Sequence, residues 1–129
     1  MKVRWNLGAA LAMSVALIAA AAAPSLGGYH LIRRVVLGGE GGWDYLTVDE
    51  PTHRLFISRA TRVLVVDADS GKQVGEIPDT QGIHGIALVP ELGRGFTSNG
   101  KESTASIFDL KTLSVMEKVN TGENPDAIL

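Results

Sequence analysis

An all-β fold built from repeated four-stranded units is what this sequence predicts, and three observations carry the prediction. Past residue 28 the apolar residues come in short runs of four to six, rich in Val, Ile, Leu and Phe, rather than at helical spacing. Turn-forming residues separate the runs at regular intervals, with 15 glycines and five prolines in 129 residues. The pattern then repeats: Arg54, Phe56 and Ser58 return 40 positions later as Arg94, Phe96 and Ser98, and Gly82 returns as Gly122.

The elements follow in chain order. Lys2 and Arg4 form a cationic head, Leu7 to Ala20 is an almost unbroken apolar run, and Ala20, Ala21, Ala22 and Ala23 supply small residues before Pro24. This is the pattern of a secretory signal helix cleaved after Ala22, so residues 1–22 are assigned to a leader and the protein to the periplasm or the outside of the cell. The run is too short and too rich in alanine to favour a stable membrane span once the leader is cut. Residues 23–42 form a linker and one strand, Tyr29 to Leu37, closed by the glycine-rich loop Gly38–Gly42.

The first unit, 43–82, lays down four strands: one from Trp43 through Val48, then Leu55–Ser58, Val63–Val66 and Lys72–Ile77. Turns at Glu50–His53 and Asp67–Gly71 separate them. Four strands with tight connections make an antiparallel meander. The second unit, 83–123, repeats the order, with Asp109 standing 42 rather than 40 residues after Asp67 because a loop through Lys101, Glu102 and Ser103 is longer. Residues 124–129 begin a third unit. A period near 40 with four strands per unit matches a β-propeller blade, so the fold class is all-β, a partial β-propeller of four-stranded antiparallel blades preceded by a signal helix.

The units resemble the YVTN family of β-propeller repeats. Leu55, Phe56, Ile57, Ser58 and Arg59, followed by Val65, Val66, Asp67 and by Ser70, Gly71, Lys72, correspond to the family's repeat; Phe96, Thr97, Ser98, Asn99 with Ile107, Phe108, Asp109 form a second copy. Thr121, Gly122, Glu123, Asn124 and Pro125 resemble the family's entry into a following blade. The resemblance runs from about Trp43 to Leu129 and implies an exported propeller, similar in shape to the haem-bearing propeller of cytochrome cd1, in which some seven blades close a ring and an N-terminal strand such as Tyr29–Leu37 completes the last blade. Two blades are short of that ring, which implies a fragment or a chain that self-associates through exposed blade faces.

Composition narrows the chemistry. The chain carries no cysteine, which excludes disulfides, thiolate zinc sites and c-type haem attachment. The formal charge is −2 overall and −4 beyond the leader, with no cluster of Lys and Arg, which argues against nucleic acid. Ligands of propellers enter where the innermost strands begin, and those positions hold Asp44, His84 and Pro125, with Asp126 next to it; one imidazole and two carboxylates at one mouth suit a cation or a polar ligand. The alternative is structural: the two aspartates cap backbone amides and His84 packs between blades. Trp43, Tyr45, Phe56, Phe96 and Phe108 are read as blade core. His30 and His53 are read as surface residues, Asp67–Gly71 as a turn rather than a calcium loop, and Gly38–Gly42 as a linker rather than an anion cradle. The leading function is a non-catalytic module that binds a protein partner or a small ligand at the channel face. The rival is part of a propeller enzyme or redox protein, a lactonase-like hydrolase or a haem- or quinone-dependent oxidoreductase, whose cofactor would be carried by other blades.

Overall fold

Eight strands in two sheets organise the computed structural model, which describes residues 28–129. The expected signal helix, 1–22, lies outside the described residues. The first blade contains β1 (Trp43–Asp49), β2 (Arg54–Arg59), β3 (Arg62–Asp67) and β4 (Gln73–Ile77), paired in that order; the second contains β5 (Ile83–Val89), β6 (Arg94–Asn99), β7 (Thr104–Asp109) and β8 (Val115–Asn120). Every pairing is antiparallel between neighbours in sequence.

The repeat extends to the irregularities. On β1, Asp44 and Tyr45 together oppose the single residue Ser58 of β2, and 40 residues on His84 and Gly85 of β5 oppose Ser98 of β6. On the outer strands, Val74 of β4 and Met116 of β8 are each one residue extra to the ladder, 42 apart. The two additional residues fall in the β6–β7 connection, where a 3₁₀ turn, Gly100–Glu102, replaces the tight Ala60–Thr61 turn of the first blade. Each β1–β2-type connection is also a 3₁₀ turn, Glu50–Thr52 or Pro90–Leu92, entered on proline at its first or second position and left through a left-handed residue, His53 or Gly93.

Alternation along the strands gives each blade two faces. Phe56, Val63, Val65 and Ile77 of the first blade meet Ile83, Ile86, Phe108 and Leu110 of the second in one buried cluster, with Leu88, Leu113 and Val115 packed at its margin. Phe56 and Phe108 are fully buried, their ring centroids 6.1 Å apart. Polar contacts cross the same boundary. Arg54 donates to Leu110 O at 2.7 Å while pairing with buried Asp49 at 3.0 Å, and Thr47 Oγ1 donates to Ile86 O at 2.9 Å. Lys118 lies between Asp79 at 3.1 Å and Glu102 at 2.8 Å. Burial works against its charge, but the two carboxylates outweigh that and hold its pKa above the ordinary lysine value.

The second blade carries a polar interior where the first is apolar. Asn99 donates to Thr104 Oγ1 at 3.1 Å and Ser106 Oγ at 2.7 Å and accepts from Thr97 Oγ1 at 2.9 Å, all of them buried. The first-blade counterparts of Thr97 and Ser106 are Ile57 and Leu64, which pack with Val66 and with Leu37 and Leu55. Full satisfaction of the asparagine amide is what makes its burial tolerable.

Three sequence expectations need correction. Tyr29–Leu37 does not form a strand, and Leu37 at its end packs against Ile57, Leu64 and Val66. Trp43 and Tyr45 are not core, being 73% and 45% exposed, because β1 is an edge strand and its bulge turns this segment outward. Phe96 is half-buried on the far face of the second blade, beside Ile107, Leu92 and Met116, whereas Phe56 and Phe108 are core as expected. Among the described residues no helix is long and apolar enough to cross a membrane.

Candidate functional site

The two inner-strand bulges aim the site residues. A bulge inserts one residue into a ladder, sharpens the local twist and re-aims a side chain that would otherwise stand on a blade face. Here a buried serine stabilises each one. Ser58 Oγ accepts from the amides of Asp44 at 3.1 Å and Tyr45 at 2.7 Å; Ser98 Oγ accepts from Gly85 N at 2.8 Å and donates to Asp126 O. The serines were visible in the sequence as a 40-residue recurrence, but their part in holding the bulges was not.

The result is that Asp44, His84 and Asp126 converge. His84 Nδ1 lies 2.7 Å from Asp44 Oδ2 and 3.6 Å from Asp126 Oδ1, and one donor atom from each of the three falls within 4.8 Å of the others. Asp44 directs its carboxylate to the imidazole, and His84, one-third exposed at the rim, reaches across from the second blade to the first. The tail holding Asp126 is anchored to β5 through its backbone, with Gly85 N donating to Asp126 O at 3.2 Å.

Gly100 makes room for the ring. A methyl group there would lie 2.9 Å from His84 Nε2 and 2.7 Å from Asn124 Oδ1, so only glycine lets imidazole and amide settle over the β6–β7 turn. Its first-blade counterpart is Ala60. Asp44 and His84 border a shallow depression of about 240 Å³ whose wall includes Trp43, Ile83 and the side chain of Lys101. Neither Gly100 nor Asn124 was singled out from sequence; Asn124 was read only as part of the entry to a next blade.

The remaining candidates behave as ordinary surface chemistry. His53 bonds Asp69 at 2.9 Å in the open; that hydrogen bond, reinforced by the carboxylate's charge, raises its pKa above 6.5. His30 is exposed. Asp67 closes its turn by accepting from Ser70 N at 2.7 Å and from Ser70 Oγ, and Asp109 repeats this with Lys111 N and Thr112 N. The glycine-rich loop presents carbonyls, not amides: Gly38, Gly39 and Glu40 each accept from Arg59 Nη2 at 3.1–3.2 Å, the electrostatic reverse of an anion cradle.

With two bulged four-stranded sheets stacked face to face and their inner strands meeting at a common rim, solved structures supply the frame. The fold is a β-propeller. Hydrazine synthase from Kuenenia stuttgartiensis superposes with a TM-score of 0.64 at 22% identity, over 78% of this chain and 29% of that one. The β-propeller domain of Cps50 (Swd1) from Myceliophteria thermophila gives 0.59 at 10% identity, over 69% and 29%, and apo AztD from Citrobacter koseri 0.55 at 10%, over 67% and 25%. At these identities the likeness establishes architecture alone. The chain spans under a third of the length of each of these neighbours. No family model matches the chain, and no curated protein does.

Proposed function

We propose that this chain is an exported, YVTN-type β-propeller module that binds a ligand non-catalytically at the rim where its inner strands begin. The observation that carries this reading is the convergence of Asp44, His84 and Asp126: two successive blades deliver polar side chains from equivalent bulges to one point, and the segment after β8 adds a third. A bulge gives up ladder hydrogen bonds, and here each is stabilised by a dedicated buried serine. The shallow depression beside the rim accommodates a small polar ligand or one projecting side chain of a partner. Export rests on the leader pattern of residues 1–22, and the repeat type on the strand and turn residues already quoted.

The test is amide chemical-shift mapping on the isotope-labelled chain with spermidine and citrate as cationic and anionic probes. One of them should move the amides of Asp44, Tyr45, His84, Gly85 and Asp126 as a group, and His84→Ala should abolish the movement. Shifts that are absent, or scattered over the blade faces, would remove the proposal.

A further inference from the structure

The donor set on the rim is more specific than a generic polar mouth. We infer that Asp44, His84 and Asp126 form a binding site for a divalent transition-metal ion of the zinc class, with one carboxylate oxygen from each aspartate and Nδ1 of the imidazole as ligands. This deepens the ligand-binding reading and rests on it.

Geometry comes first. Zinc bonds to N and O of roughly 2.0–2.1 Å in a tetrahedral arrangement place neighbouring donors about 3.4 Å apart. The separation of His84 Nδ1 from Asp126 Oδ1 is already 3.6 Å. That from Asp44 Oδ2, 2.7 Å, is a hydrogen bond whose proton the metal would replace, and it must lengthen by less than about 1 Å. No donor pair stands further apart than 4.8 Å, within reach of ordinary side-chain rotation for groups this exposed.

Charge and ligand type come next. Two carboxylates and a neutral imidazole sum to −2, the complement of a dication. The nitrogen selects against calcium and magnesium, which take six or more oxygens, and favours zinc and its neighbours. Three protein ligands leave one position open to water or to an oxygen of a bound molecule, and Lys101 on the adjoining wall would favour an anionic one. The imidazole is also fixed in depth, because a methyl at Gly100 would collide with His84 Nε2 and only glycine lets the ring sit where it does.

Location gives the site a consequence. Its ligands come from the first blade, the second blade and the segment after β8, so one ion would tie three parts of the chain together. Binding to the folded state alone must then raise stability.

The experiment uses the full chain, freed of any affinity tag and stripped with EDTA. Zinc is titrated calorimetrically, cobalt(II) by its visible absorption, and thermal unfolding is followed with and without zinc. The expected result is one zinc per chain, a cobalt spectrum of four- or five-coordinate type and a raised midpoint of unfolding. His84→Ala and Asp44→Asn should each weaken zinc at least tenfold. Should His84→Ala fail to fold, Gly100→Ala, which pushes on the ring but alters no ligand residue, should weaken it in the same direction. Absence of stoichiometric zinc binding, or undiminished affinity in His84→Ala, overturns the inference. If spermidine or citrate still maps to the rim while zinc does not bind, the metal assignment falls and the ligand-binding reading stands; if no probe maps there, both fall.

Discussion

Replacing Gly95 by alanine tests the packing of one blade on the next most sharply. Gly95 lies opposite Phe108 on β6 and β7, and a Cβ built on it would stand 2.1 Å from Cζ, 2.5 Å from Cε2 and 2.6 Å from Cε1 of that ring. Carbon atoms settle at roughly 3.5–4.0 Å, so the ring must retreat by more than about 1 Å. It has nowhere to go: Phe108 is fully buried, and fully buried Phe56 of the first blade lies 6.1 Å away centroid to centroid, tilted by 32°. Overpacking of this kind costs about 1–3 kcal/mol. The backbone pulls the other way, since alanine is preferred over glycine inside a strand by roughly 0.5–1 kcal/mol. Gly95→Ala should therefore destabilise the chain by about 1–2 kcal/mol in urea unfolding followed by far-ultraviolet circular dichroism. With Phe108→Ala, itself costing about 3–5 kcal/mol, the clash disappears and the same Gly95→Ala change should become stabilising by roughly 0.5–1 kcal/mol. That reversal of sign is the diagnostic outcome of the double-mutant cycle. Equal cost in both backgrounds would show that Phe108 does not cover Gly95 and that the blades meet differently.

Other expectations bear on the rim, the surface and the open face. Ser98→Ala removes the hydroxyl that joins Gly85 N to Asp126 O; it should cost on the order of 1–3 kcal/mol and loosen zinc, and a variant unchanged in both respects would detach the serine from the site. His53 should titrate above 6.5 by proton NMR because of its hydrogen bond to Asp69, and Asp69→Asn should bring it down. A raised folded-state pKa means this pair supports the fold fully below the unfolded value near 6.5 and loses its effect as pH climbs through the folded one; a wild-type midpoint at or below 6.5 would contradict the geometry. Leu92 and Met116, 68% and 52% exposed beside Phe96 and Ile107, should drive concentration-dependent self-association in sedimentation experiments. Met116→Glu should suppress it, and a wild-type chain monomeric at every concentration would refute that expectation.

The strands were legible because their evidence is local. Val63–Val66 or Phe56 with Ser58 declare a ladder through β-branched and aromatic side chains, and the 40-residue recurrence then fixes which strands are equivalent. Asp44 and His84 could be picked out for the same reason, as residues at the starts of successive inner strands, and Asp126 as the neighbour of the next entry position, Pro125. What escaped the sequence depends on tertiary pairing. Trp43 and Tyr45 read as core because aromatic residues in strands usually are, but exposure is decided by the edge position of β1 and its bulge. Tyr29–Leu37 has the composition of a strand, yet a strand exists only when another edge completes its hydrogen bonds. The ring of carbonyls around Arg59 and the closed network of Asn99 involve residues whose partners lie in other strands or loops, where no periodicity points.

The serine-pinned bulge separates the chemistry of a blade from its architecture. Asp44 with Tyr45 and His84 with Gly85 occupy the same kink, held by the same hydroxyl, although the paired residues share no chemical character. The first letter of each kink can therefore be rewritten without disturbing the ladder behind it, whereas at Gly85 a side chain would press on the backbone of Ile128 and Asp126. A ring assembled from such vanes would display its recognition code one residue per kink, and grafting a chosen side chain at Asp44 or His84 should transplant a specificity while leaving the scaffold as it was.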